Sequence, residues 1–139
     1  MILSDHFISF NIKLTAIFRR IASQHNLSFS QYCIIMKINS SGIPISELAK
    51  NLGLDKSTLT RNINVLIDRN LVLKTQSTDD LRIYNIFLSE HGEDIKNILY
   101  ADLDNFTIKL LHSLDNKSQN EIYLLDKLIQ KLDSYEIIK

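Results

Sequence analysis

The sequence predicts a mainly α-helical chain with a small two-stranded β element. Apolar residues recur at helical spacing through most of its 139 residues, and only three glycines and one proline interrupt them. A single pair of β-rich runs, LVLKTQ (71–76) and YNIFL (84–88), stands between helical segments.

In the first helix, over residues 4–23, Phe7, Phe10, Leu14, Ile17, Phe18 and Ile21 fall at offsets 0, 3, 7, 10, 11 and 14, with Ser4 as the expected N-cap. Ile8, Ile12 and Ala16 add apolar surface on a second side, more than a one-sided surface helix needs. Ser28 or Ser30 can cap a second helix through Gln31, Tyr32, Ile34, Ile35 and Ile38, and Ser40-Ser41-Gly42 and Pro44 end it. Ser46 is the expected cap of a short helix carrying Leu48, Ala49 and Leu52, and Gly53 stops it because glycine adopts a positive φ at little cost. Asp55 caps the next helix, which runs to about Arg69 with Asn70 as C-cap.

After the two strands, Ser89 caps a long helix with Ile95, Ile98, Leu99, Leu103 and Phe106 on one stripe. Asp115-Asn116-Lys117-Ser118 breaks it, and a final helix carries Ile122, Leu125, Leu128, Ile129 and Leu132. Three helices followed by a hairpin is the order of a winged helix-turn-helix. That assigns residues 28–92 to the winged portion and 1–26 and 89–139 to helical flanks, within a single domain of 1–139.

Composition narrows the function classes. Sixteen basic and sixteen acidic residues cancel, so net charge gives no hint of nucleic acid. Residues 1–45 carry +3, residues 46–92 are neutral and residues 93–139 carry −3, so a DNA-binding reading must rest on where charges sit. One cysteine excludes a disulfide framework and the multi-cysteine zinc patterns, and a reducing, intracellular setting is the default. The N-terminal stretch is broken by Asp5, His6, Asn11 and Lys13, so neither an export signal nor a membrane span is expected. No phosphate-cradling glycine loop, catalytic carboxylate pair or nucleophile–base motif appears, so neither an enzyme nor a cofactor is expected.

The informative stretch is GLDKSTLTRNINVL (53–66). At ~100° per residue, Leu59, Ile63, Leu66 and Ile67 make a core stripe. Opposite lie Ser57, Arg61 and Asp68, flanked by Thr58, Asn64 and Val65. Glu and Lys are the usual residues of a solvated face, whereas Ser, Thr, Asn and Val are poor helix formers. Short hydroxyls and Asn suit a DNA major groove, Val can meet a thymine methyl, and Arg61 can donate two bonds to guanine. Lys56 and Ser57 stand in the first turn, where free backbone N–H groups suit a phosphate. In the loop after the first strand, an arginine such as Arg82 fits a narrow, electronegative minor groove, and Asp80 can hold its guanidinium in place.

The run from Asp80 resembles the wing of the MarR family of bacterial transcription regulators. It has Asp-x-Arg (Asp80, Arg82), then Leu88-Ser89 where the family has Leu-Thr, then Gly92 opening the next helix. LSFSQYCII, with Gln31-Tyr32, is similar to the start of the family's second helix. ISELAKNLGLDKSTLTRNINVLIDRNLV is similar to its positioning helix, recognition helix and first wing strand. The resemblance implies a cytoplasmic homodimer, built by the first and the last two helices, that binds a palindromic operator in double-stranded DNA. Lys56, Ser57, Thr58, Arg61 and Asn64 would then contact the major groove or phosphates, and Arg82, oriented by Asp80, the minor groove. It also implies a small aromatic or anionic effector that releases a repressor, near residues such as Phe10, Tyr32 and Met36, although an aromatic or Met at helical spacing is more often core.

Two other readings use the same scaffold. Asp79 beside Asp80 and the neutral winged segment suit a protein-interaction module or antirepressor lacking strong DNA affinity. A redox or metal sensor would use Cys33 or the histidines at 6, 25, 91 and 112. No two of those histidines have helical ligand spacing, so no metal site is expected, and Cys33 reads as packing.

Overall fold

Local caps decide where most elements of this computed structural model begin and end. It describes residues 2–121 and 123–134; Ile122, expected on the last helix's stripe, lies outside the described residues. The chain divides into two compact units, Met1–Asp102 and Leu103–Lys139.

The first unit opens with α1 (Leu3–Gln24), which begins before Ser4, so Ser4 is not its cap; the Asp5 carboxylate instead accepts from the Ile2 N–H at 3.2 Å. Helix α2 (Phe29–Lys37) starts at Ser28, whose hydroxyl accepts from Gln31 N while the Gln31 side chain accepts from Ser28 N, a reciprocal pair that settles Ser28 over Ser30.

The sheet has three strands rather than the expected two. β1 (Ile43–Pro44) pairs with β3 (Tyr84–Leu88), which pairs with β2 (Val72–Gln76), all antiparallel, in the order β1-β3-β2. The turn closed by Gly42 N on Asn39 O brings Ile43 opposite Ile86. Pro44, expected only to break structure, is tolerated because β1 is an edge strand, where a missing N–H breaks no ladder. Pro44 also takes the N-cap position of α3 (Ile45–Leu52), so Ser46 lies inside the first turn and does not cap it.

Gly53 ends α3 in the left-handed region at φ 62°. Helix α4 (Lys56–Asp68) follows, capped by Asp55 as expected. At its far end Arg69 is the C-cap, and Asn70, one residue further, adopts φ 56°; Asn70 N bonds Ile67 O and Leu71 N bonds Leu66 O, both at 2.9 Å. Those two bonds satisfy the last carbonyls and turn the chain into β2. Helix α5 (Glu90–His112) starts where Ser89 accepts from Gly92 N at 2.9 Å.

Helix α1 packs on α2, α2 on α3 and α4, and α4 on β2. The core of this unit is Ile34, Ile35, Ile38, Leu48, Leu59, Ile63, Leu66, Leu71, Val72, Ile86 and Leu99, all essentially inaccessible. Of the stripe on α4, Leu59, Ile63 and Leu66 are buried and Ile67 lies half-buried at its edge. Each buried aliphatic contributes about 1.5–3 kcal/mol, which fixes the face α4 turns inward and so the face it turns out.

In the second unit, the expected break after α5 holds a short helix of its own, α6 (Asn116–Asn120), capped by Asp115 accepting from Ser118 N at 2.7 Å. Helix α7 (Tyr123–Ser134) has no buried residue, and Leu124, Leu125, Leu128, Ile129 and Leu132 are exposed. The N-terminal half of α1 likewise exposes Leu3, Phe7, Ile8, Phe10 and Ile12.

Candidate nucleic-acid interface

Asp55 organises the start of α4. One carboxylate oxygen accepts from Thr58 N at 2.9 Å and Ser57 Oγ at 2.6 Å, and the other from Thr58 Oγ1 at 2.6 Å. The Ser57 and Thr58 hydroxyls hold the Asp55 carboxyl well below the usual carboxylate range. An ionised carboxylate can only accept, so both hydroxyls are the donors here. With their hydrogens committed, the two hydroxyls can only accept a further bond, which suits a base amino group rather than a phosphate.

The rest of the outer face is free. Lys56, Arg61, Asn64 and Val65 are exposed, and among the described residues Arg61 makes no ion pair. Beside this face, Asn62 donates to Thr58 O at 3.0 Å and accepts from Gln31 Nε2 at 3.5 Å, linking α4 to α2.

Between β2 and β3 the wing turn closes through Ser77 N on Ile83 O at 2.8 Å and Ile83 N on Asp80 O at 2.9 Å. Arg82 donates through Nε to Asp80 Oδ1 and through Nη2 to Oδ2, each at 3.1 Å, and its own N–H reaches Oδ1 at 3.0 Å. This two-pronged pairing matches the fork of the guanidinium. The Arg82 side chain is nonetheless 91% exposed, so Asp80 aims it without covering it. These bonds from Arg82 lower the Asp80 pKa.

A hollow of about 300 Å³ joins the helix to the wing. It is lined by Ile45 and Ser46 of α3, Lys56 and Thr60 of α4, Lys74 of β2, and Arg82, Ile83 and Tyr84 of the wing. Lys56, Lys74 and Arg82 line it with no carboxylate in the lining, and since Asp80 pairs with Arg82 the positive charge where α4 and the wing meet comes from Lys56 and Lys74. The Lys74 ammonium lies 4.6 Å from the centre of the Tyr84 ring. Sequence reasoning missed Ser46, Thr60, Lys74 and Tyr84. Strand alternation was the available signal, because Lys74 pairs with Ile86 and so shares a face with Tyr84 two residues away.

The sequence profile of the MarR family matches residues 27–84, the segment that runs from α2 through β1, α3, α4, β2 and the wing turn to the first residue of β3. Over those residues the chain is similar to the MarR family. A curated relative, the HTH-type transcriptional regulator SarZ of Staphylococcus epidermidis, is 28% identical over 109 residues, covering 78% of this chain and 73% of SarZ. Among solved structures, wild-type apo MarR from E. coli superposes with a TM-score of 0.77 at 21% identity, covering 95% of this chain and 96% of that one. A point mutant of S. aureus MepR bound to an oligodeoxyribonucleotide superposes with a TM-score of 0.62 at 17% identity, covering 95% and 99%. SarZ is by its name a transcription regulator.

Phe10 is exposed on α1, Met36 is half-buried, and Tyr32 is buried with its ring stacked 5.7 Å from that of Phe18. Tyr32 thus packs in the core, and burial raises its phenol pKa. Burial also pushes the half-buried Cys33 thiol up, which disfavours the thiolate a redox sensor needs. Among the described residues no three His, Cys, Asp or Glu side chains cluster to hold a metal, and no helix is long and apolar enough to cross a membrane.

Proposed function

We propose that this protein is a dimeric, cytoplasmic transcription regulator, a repressor that binds a palindromic operator and is released by a small effector. Each subunit sets α4 in the major groove through Lys56, Ser57, Thr58, Arg61 and Asn64. The wing 77–83 enters the adjacent minor groove through Arg82, braced by Asp80. The observation that carries this reading is the cation-lined hollow joining the start of α4 to the wing, because a phosphate strand crossing between two grooves needs positive charge at that junction. The DNA-bound MepR relative supports it as a use of the same fold.

The exposed apolar sides of α1 and α7 support a homodimer, which would hold two recognition helices about 34 Å apart on successive turns of DNA. A small aromatic or anionic effector that alters this separation would release the operator, and Phe10, Tyr32 and Met36 are the residues to test against it. Selection of bound duplexes from a random pool tests the whole reading. It should return an inverted repeat with half-sites about one helical turn apart. Recovery of no sequence at low salt by a proven dimer overturns it.

Asp79 beside Asp80 favours a second reading, an antirepressor-like module that dimerises without strong DNA affinity. Salt separates the two: a steep loss of binding between low and moderate salt belongs to the DNA reader.

A further inference from the structure

The tip of the wing carries a residue that neither the fold nor the charge pattern explains. Leu81 lies in the turn between Asp80 and Arg82 and is 67% exposed. Hydrogen bonds hold the backbone of the turn around it. The turn closes from Ser77 to Ile83 and from Ile83 to Asp80, the carboxylate of Asp80 grips Arg82, and Gln76 Nε2 donates to the Leu81 carbonyl at 2.6 Å. An exposed turn ordinarily uses Gly, Asn, Asp or Ser, because a large apolar side chain there gains no burial. Here a rigid turn presents one to solvent beside the arginine proposed to enter DNA.

Resting on the DNA-binding reading above, we propose that Leu81 is a second minor-groove contact of the wing. It packs on the deoxyribose walls beside Arg82 and gives the wing a share of affinity that does not depend on salt. Charge alone does not draw this tip into an electronegative groove, since Asp79 and Asp80 outnumber Arg82 and leave residues 77–83 at −1. The groove's walls are C–H surfaces of the sugars, and an apolar side chain such as leucine gains by covering them. Arg82 lines the same hollow as Lys56 of α4, so the leucine continues the edge already proposed to meet DNA.

The test uses the full chain and the duplex that the wild type selects from a random pool, with affinities read by fluorescence anisotropy across a salt series. Leu81→Ala should bind roughly five- to twenty-fold more weakly at every salt concentration, with the slope of log K against log salt unchanged. Leu81→Lys should trade one kind of contact for the other, with a slope steeper by about one. Matching circular dichroism and sedimentation confirm that both variants keep the fold. Leu81→Ala within two-fold of wild type on a duplex that wild type binds tightly overturns the inference and points the leucine at a protein partner. Wild type selecting no duplex removes the DNA reading itself, a distinguishable failure.

Discussion

His25 Nε2 lies 2.7 Å from Asp102 Oδ2, joining the end of α1 to α5. The same turn takes a second load, because Arg69, the C-cap of α4, donates to the carbonyls of Asn26 and His25 at 2.6 and 3.2 Å. Asn26 at φ 55° turns the chain so that these carbonyls are available. The far end of α4 is therefore anchored through one two-residue turn that is itself tied to α5.

This anchor makes a stability prediction. The His25 and Asp102 side chains are 20% and 34% exposed, so their pairing is only partly screened by water. His25→Ala and Asp102→Ala should each lower unfolding free energy by about 1 kcal/mol in urea titrations. The double variant should lose clearly less than the sum, since either change alone already removes the bond. Strict additivity would show that the contact contributes nothing in solution.

Gly92 is a packing requirement rather than a flexible joint. A Cβ built there falls on the backbone carbonyl of Leu71, the same oxygen that accepts from Ser89 N at 3.0 Å. The Ser89 hydroxyl meanwhile donates to Asn70 O at 2.5 Å, so the start of α5 is sealed against the junction of α4 and β2. A backbone atom cannot move aside as a side chain can. Gly92→Ala should therefore destabilise by about 1–3 kcal/mol despite alanine's better helix propensity. A thermal melt showing stabilisation would contradict this packing.

Which parts of this architecture were legible in the sequence follows from range. Ser28, Gly53, Asp55 and Ser89 act over two to four residues, so their roles could be read from spacing. Strand β1 could not be read, because two residues, one of them proline, carry no alternation and gain their structure only from pairing with residues some forty positions later. Ser4 and Ser46 misled because several residues could start each helix and a backbone already extended at Ile2 and Pro44 decided it. At the interface, Asp80 and Arg82 were legible as neighbours in sequence. The hollow as a whole was not, since strand alternation pairs Lys74 with Tyr84 but only tertiary packing brings Ser46 of α3 and Lys56 of α4 to them.

The Asp80 brace makes a pH prediction. Its carboxyl is depressed by the bonds from Arg82, so the brace is fully formed above the ordinary aspartate range near pH 4 and is lost as pH falls through the lower folded value. In a carbon-detected NMR titration, Arg82→Ala should move the Asp80 midpoint upward toward that ordinary range. An Asp80 midpoint that ignores the substitution would mean that the pair does not form in solution.

The two arginines of the proposed interface should fail differently. Arg61→Ala should cost about 1–3 kcal/mol on the selected duplex and relax base preference at one position of each half-site, as expected for a major-groove donor. Arg82→Ala should weaken binding more evenly across sequences, and Asp80→Asn should act in the same direction by releasing the guanidinium from its aimed position. Repeating the selection with each variant checks this. An unchanged motif from Arg61→Ala would remove that residue from base reading.

The apolar surface of the terminal helices leads to the last prediction. Helix α7 spans twelve residues and none is buried, yet it presents Leu125, Leu128, Ile129 and Leu132. A helix that short is marginal in water without tertiary packing, and so large an apolar face marks an interaction surface. Phe7, Phe10 and Ile12 place a comparable demand on α1. Leu128→Glu and Phe10→Glu should therefore each shift sedimentation from dimer toward monomer. Operator affinity should fall by more than about ten-fold, because half-sites read one at a time lose the effective concentration of a linked pair. The winged segment contains neither residue, so its amide NMR spectrum should stay dispersed. Dimers that persist with unchanged affinity in both variants would place the interface elsewhere.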